Sequence, residues 1–421
     1  MSQVQLGFLG GTHEVGRIAI SVKTPKTQVL LDYGVMLNHR PGFPAHVPPK
    51  ELDAIILTHS HLDHSGAIPI FFIQSKKPVY ANRLTIELSQ ILISDFIHLS
   101  SYYLPFEYLE LKSMIKSSRH VDFGAEQKIG DTTFQLFNAG HIPGSAQVLI
   151  NAEGKRILYT GDFNLEDTRL LKGAEMQYDP LDAVIIESTY ATEEHSSRAE
   201  LEKQFVDAVT DIVEHGGIVL VPAFGVGRSQ EIACILAAHH FEHPVAMDGM
   251  AREASGLMMN YQQFLGDPRL FASAIHSVEW IEGWRDRRRT IKTPGVIISP
   301  AGMLKGGPAM FYTSKIAKKA SNAIFLVSYQ IPGTPGKELL EKGVCVIDGK
   351  MRRVKSHVQH FDFSSHCGSG GLKEAVKRLK GKPKVYVVHG AERNCEFLAK
   401  WARDEMGLEA HAPRSGDVFA V

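Results

Sequence analysis

Short apolar runs that end at polar or glycine-containing turns dominate the first half of the chain. Such runs are typical of buried strands that end in loops. The clearest of them are residues 4–9, 29–31, 54–57 and 157–159.

The pattern changes near residue 197, where longer amphipathic segments begin to alternate with short apolar ones. Residues 199–214 have the period of a helix, residues 217–222 form a continuous apolar run, and residues 229–239 are helical again. This strand–loop–helix rhythm continues to about residue 348 and predicts a parallel α/β unit.

The last part of the chain returns to the pattern of the first half, in which an apolar strand ends at a polar turn. Residues 371–379 predict a helix and residues 384–388 a strand that ends at His389. The chain contains no internal repeat and no low-complexity linker. We therefore expect an α/β protein in which one domain is interrupted by an inserted second domain.

Composition excludes several classes of protein. The 421 residues are 44% apolar and 22% charged, with 46 basic and 46 acidic side chains, as in ordinary globular proteins. The four cysteines show no paired spacing, which argues against a disulfide framework or a cysteine-based zinc site. No apolar run approaches the roughly 20 residues of a membrane span, and no secretory signal is visible, so we expect a cytoplasmic protein without membrane contact.

A dense cluster of metal-binding side chains follows the run at residues 54–57. Three imidazoles and a carboxylate occur within six residues, in the order His59, His61, Asp63, His64. His59 and His61 are two residues apart, so in extended chain they point to the same side. Nitrogen and oxygen donors of this kind suit zinc or manganese. A polar turn with chance histidines is the alternative, which this density of ligands disfavours.

Three later residues stand at similar turns after apolar runs. They are His141, Asp162 and His389. Each alone could be an ordinary loop residue, but together with the cluster they predict a shared metal centre. A carboxylate that bridges two ions holds them about 3.5–4 Å apart, the separation used in two-metal hydrolysis.

The order of these motifs resembles the metallo-β-lactamase fold, and further motifs narrow the resemblance to the β-CASP nucleases. Glu187 in IIESTY and His366 in DFSSH resemble two of the additional family motifs, and His389 resembles the third. Residues 10–16, 222–231 and 299–303 also resemble the family. The most similar members are prokaryotic relatives of RNase J and of the endonuclease subunit of the cleavage and polyadenylation factor.

The resemblance implies an αββα metallo-β-lactamase sandwich with an inserted β-CASP domain. The implied limits are residues 1–195 and 356–421 for the sandwich and residues 196–355 for the insertion. It also implies two zinc ions, with manganese as an alternative. The first ion would be held by His59, His61, His141 and Asp162, and the second by Asp63, His64, Asp162 and His389.

The resemblance also implies roles in catalysis. Asp63 would orient the attacking water, and His366 would protonate the leaving oxygen while Glu187 fixes the imidazole. Asp32 matches an acidic position that orients the ligands from outside. At Gly368, two residues after His366, relatives often carry an acidic residue.

Candidate substrate contacts are fewer. Arg228 and Ser229 stand between an apolar run and a helix, where an anion can bind, although a plain turn has the same pattern. The basic runs at residues 285–289 and 350–355 are either solvated faces or part of a nucleic acid path. Trp280, Trp284 and Trp401 are expected to be packing residues.

The resulting functional hypothesis is a zinc-dependent ribonuclease that acts on single-stranded RNA in processing or decay. Cleavage from 5′ to 3′ is expected first, with endonucleolytic cleavage as the other mode. The alternatives are a DNA nuclease similar to the Artemis group and a catalytically inactive RNA-binding partner. The insertion argues against a small-molecule hydrolase. Similar proteins also pair as homodimers or join RNA-processing complexes, and both remain open here.

Overall fold

A computed structural model describes residues 4–37, 41–100, 102–331 and 333–421. Residues 1–3, where the search for a targeting signal began, lie outside the described residues. The chain divides into two compact units. Unit 1 comprises Met1–Asp167, Gly173–Glu194 and Ser365–Val421, and unit 2 comprises Thr168–Lys172 and His195–Ser364. The domain limits given above stay a prediction.

Unit 1 contains two seven-stranded sheets. In spatial order, the strands of the first sheet are Val418–Ala420, Gln5–Gly10, Ala19–Lys23, Gln28–Leu31, Ala54–Ile56, Val79–Ala81 and Ser118–His120. Those of the second sheet are Ala410–His411, Lys384–Val388, Ala183–Glu187, Lys155–Tyr159, Ala146–Ala152, Thr132–Asn138 and Gln127–Ile129. A two-stranded ribbon, Met36–Leu37 with Pro41–Gly42, lies beside them.

The main core of unit 1 lies between these two sheets. Phe8 and Ile20 from the first sheet and Phe134, Ile150 and Tyr386 from the second are fully buried in one apolar cluster. Both sheets also bury their other faces, which explains why many of their strands are apolar throughout rather than alternating. The predicted apolar runs therefore form strands at nearly the predicted positions.

Helices cover the outer faces of both sheets. The first sheet packs against Leu62–Ser65, Arg83–Leu99 and Tyr108–Lys116 and the 3₁₀ turn Ile68–Phe72. The second sheet packs against Ser369–Arg378 and Glu392–Asp404. A further 3₁₀ turn spans Pro49–Glu51. Helix, sheet, sheet and helix thus form four layers, as predicted.

The strands that carry functional turns run in the same direction in each sheet. In the second sheet, Lys155–Tyr159, Ala183–Glu187 and Lys384–Val388 are parallel neighbours. In the first, Gln28–Leu31 and Ala54–Ile56 are also parallel neighbours. Because the carboxyl ends of parallel strands meet at one edge of a sheet, the residues that follow them come together.

Unit 2 is a six-stranded parallel sheet with helices, as the alternation of apolar runs and amphipathic segments predicted. In spatial order its strands are Glu279–Trp280, Val245–Met247, Gly295–Ser299, Ile218–Pro222, Ala323–Leu326 and His357–His360. A hairpin joins Val344–Ile347 to Lys350–Arg353. The helices are Arg198–Glu214, Arg228–Ala238, Ala251–Asn260, Pro268–Ser277, Trp284–Thr290, Gly307–Ile316 and Pro335–Lys342, with a 3₁₀ turn at Gln262–Phe264.

Two local expectations need correction. The helix after the histidine cluster begins at Leu62 rather than near Ser65, because the carbonyl of His61 already accepts the N–H groups of His64 and Ser65. Trp284 is packed only in part, since the residue is 56% exposed. Within the described ranges, no helix combines the length and the apolar character needed to cross a membrane.

Candidate metal centre

Seven potential metal ligands converge at one edge of the unit 1 sandwich. Four of them, His59, His61, Asp63 and His64, follow the strand Ala54–Ile56. The others are His141 after Thr132–Asn138, Asp162 after Lys155–Tyr159 and His389 after Lys384–Val388. Overlapping groups of three among them have donor atoms within 4.8 Å of one another. The structure therefore brings together all seven residues predicted from the sequence as ligands.

Hydrogen bonds fix the orientation of three buried imidazoles. His64 Nδ1 lies 2.7 Å from Asp32 Oδ2, and His141 Nδ1 lies 2.9 Å from the carbonyl oxygen of Ser365. His59 Nδ1 lies 3.1 Å from Thr58 Oγ1, whose own proton goes to Asp32 Oδ2. Each acceptor calls for a proton on Nδ1, so each ring turns its Nε2 toward the centre.

The first group of donors has the dimensions of a tetrahedral metal site. His61 Nδ1 lies 3.2 Å from His59 Nε2 and 3.1 Å from His141 Nε2. Asp162 Oδ2 lies 3.7 Å from both of those Nε2 atoms. Metal–ligand bonds of about 2.0–2.1 Å place neighbouring ligand atoms of a tetrahedron about 3.3 Å apart. His61 Nδ1 can donate one hydrogen at most, so at least one of the two neighbouring Nε2 lone pairs receives no hydrogen from it, an arrangement that a cation stabilises.

A second group lies on the other side of Asp162. His64 Nε2 is 3.3 Å from Asp162 Oδ2, and His389 Nε2 is 3.4 Å from Asp63 Oδ2. His389 Nδ1 also lies 2.8 Å from Asp162 Oδ1. These edges again match the size of a metal site, and Asp162 is common to both groups. The donor set and its spacing fit two ions that share one carboxylate.

The charges of these side chains suit a cation. Burial lowers the pKa of His59 and His141 well below the ordinary value and that of His61 to about 4, so these rings are neutral ligands. Burial opposes protonation of His64 too, but Asp162 and Asp32 raise its pKa to about 10. Although burial favours the neutral acid, His389 and His64 hold the pKa of Asp63 below its usual value. A metal that binds here would displace protons from such histidines.

The position of His389 depends on the glycine motif at the start of the chain. Its N–H donates to the carbonyl oxygen of Gly11 at 2.7 Å, and its own carbonyl accepts the Thr189 hydroxyl at 3.1 Å. His389 has a positive φ of 50°, which few residues other than glycine adopt. Gly11 has a φ of 69°, and a Cβ there would lie 2.2 Å from Ile18 Cδ1. The motif at residues 10–16 therefore acts through backbone geometry.

His366 and Glu187 lie beside the first group. His366 Nδ1 is 2.7 Å from Glu187 Oε1, and His366 Nε2 is 4.0 Å from Asp162 Oδ2. Burial lowers the pKa of His366, but Glu187 and Asp162 outweigh it and raise the pKa overall. Glu187 thus supplies the acidic partner for His366 although Gly368 carries no side chain.

Asp32 makes more hydrogen bonds around the metal centre than its predicted role, to orient ligands, required. Its buried carboxylate accepts hydrogen bonds from the Thr58 backbone and hydroxyl, each at 2.8 Å, and from the Tyr159 hydroxyl at 2.9 Å. Sequence reasoning missed Thr58 and Tyr159 as positioning residues. Their positions could have indicated them, because Thr58 immediately precedes His59 and Tyr159 ends the strand that leads to Asp162.

Arg228 and Ser229 belong to unit 2, at the start of the helix Arg228–Ala238. Arg228 is 9% exposed, and Ser229 is fully buried, with its hydroxyl donating to the carbonyl oxygen of Phe224 at 2.7 Å. The Ser229 hydroxyl therefore has a local structural partner. Their contact with substrate stays a prediction.

Comparison with known protein families gives three matches along the chain. Residues 20–205 match the metallo-beta-lactamase superfamily, and residues 229–339 match the Beta-Casp domain. Residues 351–413 match the Zn-dependent metallo-hydrolase RNA specificity domain.

Curated relatives are similar over nearly the whole chain. RNase aCSPSF2 of Saccharolobus solfataricus is 40% identical across 99% of this chain and 85% of its own length. The probable RNase MJ4 of Methanocaldococcus jannaschii is 35% identical across 99% of this chain and 100% of its own. Transcription termination factor FttA of the same organism is 33% identical across 99% and 72%. A crystal structure of a protein of unknown function from Enterococcus faecalis has the same fold, with a TM-score of 0.62, 12% identity and full coverage of both chains.

Proposed function

Because the chain belongs to the β-CASP ribonuclease family of the metallo-β-lactamase superfamily, we propose that it hydrolyses phosphodiester bonds of single-stranded RNA with two zinc ions. The observation that carries this proposal is the position of Asp162. Its Oδ2 lies 3.7 Å from His59 Nε2 in one ligand group and 3.3 Å from His64 Nε2 in the other. A carboxylate common to two histidine-rich groups could hold two ions at the roughly 3.5–4 Å separation that two-metal hydrolysis uses.

The donor set supports zinc, with manganese as the alternative, in preference to magnesium or calcium. The first site would be held by His59, His61, His141 and Asp162, and the second by Asp63, His64, Asp162 and His389. Three imidazoles with one carboxylate at the first site, and two imidazoles with two carboxylates at the second, suit zinc, whereas magnesium and calcium prefer oxygen ligands. Bound metal ions lower the pKa of water and offset the charge of phosphate oxygens.

Side chains of the protein itself supply orientation and a proton. The side chain of Asp63 is 30% exposed, so its carboxylate can accept a hydrogen bond from the attacking water. His366 donates its Nδ1 proton to Glu187 Oε1, which leaves the Nε2 proton for the leaving oxygen. Because His366 Nε2 lies 4.0 Å from Asp162 Oδ2, a proton on Nε2 lies beside the metal centre.

Single-stranded RNA is proposed as the substrate because of the family resemblance. Two of the relatives are named as RNases, and one matched family is named for RNA specificity. We propose that the RNA is shortened from its 5′ end toward its 3′ end, by exonucleolytic cleavage.

The test is cleavage of one RNA sequence labelled at its 3′ end and prepared with either a 5′-monophosphate or a 5′-hydroxyl. The wild type is compared with Asp63→Ala, and a DNA of the same sequence is included. Shortening in single-nucleotide steps that prefers the 5′-monophosphate is the expected result. Discrete internal products that are indifferent to the 5′ end would instead indicate an endonuclease.

Two further outcomes would overturn the proposal. Equal cleavage of the DNA would make the protein a nuclease without RNA preference. No cleavage of RNA by protein loaded with zinc or with manganese would leave an inactive RNA-binding protein as the better explanation. Metal analysis of the purified protein tests the cofactor, with two zinc equivalents expected per chain.

A further inference from the structure

An exposed tryptophan lies on the most basic helix of unit 2. The helix Trp284–Thr290 has the sequence WRDRRRT, and Lys292 follows it. Trp284 is 56% exposed, whereas large apolar side chains are usually buried unless they contact a partner. The proposed function does not use this feature.

The indole of Trp284 is held in place from within the unit. The Arg287 guanidinium lies over its ring, with 5.1 Å between Cζ and the ring centroid. The Phe311 ring meets it at 89°, with 5.2 Å between centroids. Two such aromatic and cationic contacts restrict the ring while leaving more than half of the residue open to solvent.

Arg287 is itself anchored in the interior. Its Nε and terminal nitrogen lie 2.7 and 3.0 Å from the two oxygens of Asp248, which is 1% exposed. The hydroxyl of the buried Tyr312 donates to the same carboxylate at 2.7 Å. This bidentate pair fixes the guanidinium and, through it, the tryptophan.

The remaining cations of the segment divide into two kinds. Arg289 is paired with Glu279 and lies 3.5 Å from Asp286. Arg285, Arg288 and Lys292 are exposed, and among the residues that the structure describes they have no ion-pair partner. Their spacing of three and four residues places them along one side of the segment.

We propose that Trp284, with Arg285, Arg288 and Lys292, forms a stacking platform for a base of single-stranded RNA. A fixed aromatic face beside unpaired cations is the combination that binds single strands without reading their sequence, by stacking on bases and pairing with phosphates. The proposal rests on the proposed function, because it assigns part of the RNA contact to unit 2. A protein partner is a different occupant, which the three unpaired cations disfavour and the experiment tests.

The experiment measures binding of a fluorescent oligouridylate with phosphorothioate linkages, which resists hydrolysis, to the full-length protein. Trp284→Ala is expected to weaken binding about 5- to 100-fold, the effect of losing one stacked base. Trp284→Phe should restore most of the affinity. RNA should also quench tryptophan fluorescence in the wild type, and much less in Trp284→Phe, a signature that a purely structural role would not produce.

Charge is tested separately through the salt dependence of binding. Replacing Arg285 and Arg288 together by alanine should reduce the slope of log affinity against log salt by about 1.4, since each phosphate contact on a single strand contributes about 0.7. The matched controls lie in unit 1. Tyr108→Ala removes an exposed aromatic ring from the helix Tyr108–Lys116, and Lys112→Ala with Lys116→Ala removes two exposed cations from the same helix. Neither control should change binding.

Unchanged affinity and unchanged quenching in Trp284→Ala would overturn the inference, as would an equal loss in the Tyr108→Ala control. A change in sedimentation with unchanged RNA binding would show that the tryptophan contacts a second copy instead. These failures are distinguishable from failure of the proposed function. If the wild type cleaves RNA, and the Trp284 and arginine variants bind RNA as tightly as the wild type does, then the platform is wrong and the proposed function stands.

Discussion

His366 donates from Nδ1 to Glu187 Oε1 across 2.7 Å, although the two residues are 179 positions apart in the chain. Glu187 is 1% exposed and ends a central strand, so it is a rigid support. His366 lies on the loop before the helix Ser369–Arg378 and is more exposed, at 17% for its side chain. The buried carboxylate therefore sets the direction of the more accessible imidazole.

The first prediction concerns this pair. His366→Ala should lower the rate of RNA cleavage by about 10²- to 10⁴-fold if the imidazole transfers a proton in the rate-limiting step. Glu187→Gln should lower it by less, because the ring remains but its orientation is weakened. The double variant should be no slower than His366→Ala, since Glu187 acts through His366. Single-turnover cleavage rates test this, and multiplicative losses would show independent roles.

The second prediction concerns the shared carboxylate. Asp162→Asn should reduce bound zinc at both sites, because Asp162 Oδ2 lies within 3.7 Å of His59 Nε2, His64 Nε2 and His141 Nε2. His141→Ala should reduce it mainly at one site. Zinc per chain after dialysis against a weak chelator measures both effects.

Asp131→Asn is the matched control for Asp162→Asn. Asp131 precedes the strand Thr132–Asn138, at the end opposite to His141, and accepts the Thr24 hydroxyl. It should retain the wild-type metal content. Equal zinc loss in Asp162→Asn and His141→Ala would argue against a bridging role for Asp162.

The third prediction concerns Asp32, which contacts His64, Thr58 and Tyr159 but none of the other metal ligands directly. Asp32→Asn keeps the size of the side chain and removes its charge, so the Nδ1 proton of His64 loses its ionised acceptor. Loss of such an outer partner typically weakens metal affinity about 10- to 100-fold. Competition with a chromophoric chelator measures this. Wild-type affinity in Asp32→Asn would limit Asp32 to a role in folding.

Local sequence patterns predicted most of the fold and the residues that come together at the candidate metal centre, for a physical reason. The residues 54–57 and 384–388 are buried on both faces of their sheets, so their apolar runs are continuous and easily recognised. The dense group from His59 to His64 is formed by local chain geometry. His141, Asp162 and His389 could be singled out because each lies at the turn that follows a strand.

Other features could not be predicted because they depend on contacts between distant segments. The hydroxyl of Tyr159 reaches Asp32 across 127 residues, and the position of Tyr159 at a strand end does not reveal which side chain it contacts. Trp284 was expected to pack, since tryptophan is usually buried, but Arg287 beneath it is committed to Asp248 and the ring stays at the surface. Burial of one side chain by another is a tertiary property that composition does not contain.

The last prediction concerns Gly34, which lets the chain after the strand Gln28–Leu31 pass directly behind the ligand loop. A Cβ at this position would lie 1.6 Å from the carbonyl oxygen of Asp63 and 2.6 Å from the backbone nitrogen of His64. Neither atom can yield by a side-chain rotation, because both belong to the backbone of the ligand loop. Gly34→Ala must therefore displace two ligands or its own segment.

We expect Gly34→Ala to lower the free energy of unfolding by about 1–3 kcal/mol, the usual cost of overpacking, and to reduce bound zinc at the second site. Gly256→Ala is the matched control, since Gly256 lies on the exposed side of the helix Ala251–Asn260 and a Cβ there meets nothing within 4 Å. That control should gain about 0.5–1 kcal/mol from helix propensity. Urea unfolding and zinc analysis measure the two effects. If Gly34→Ala retained wild-type stability and zinc content, the close approach to Asp63 would not constrain the metal centre.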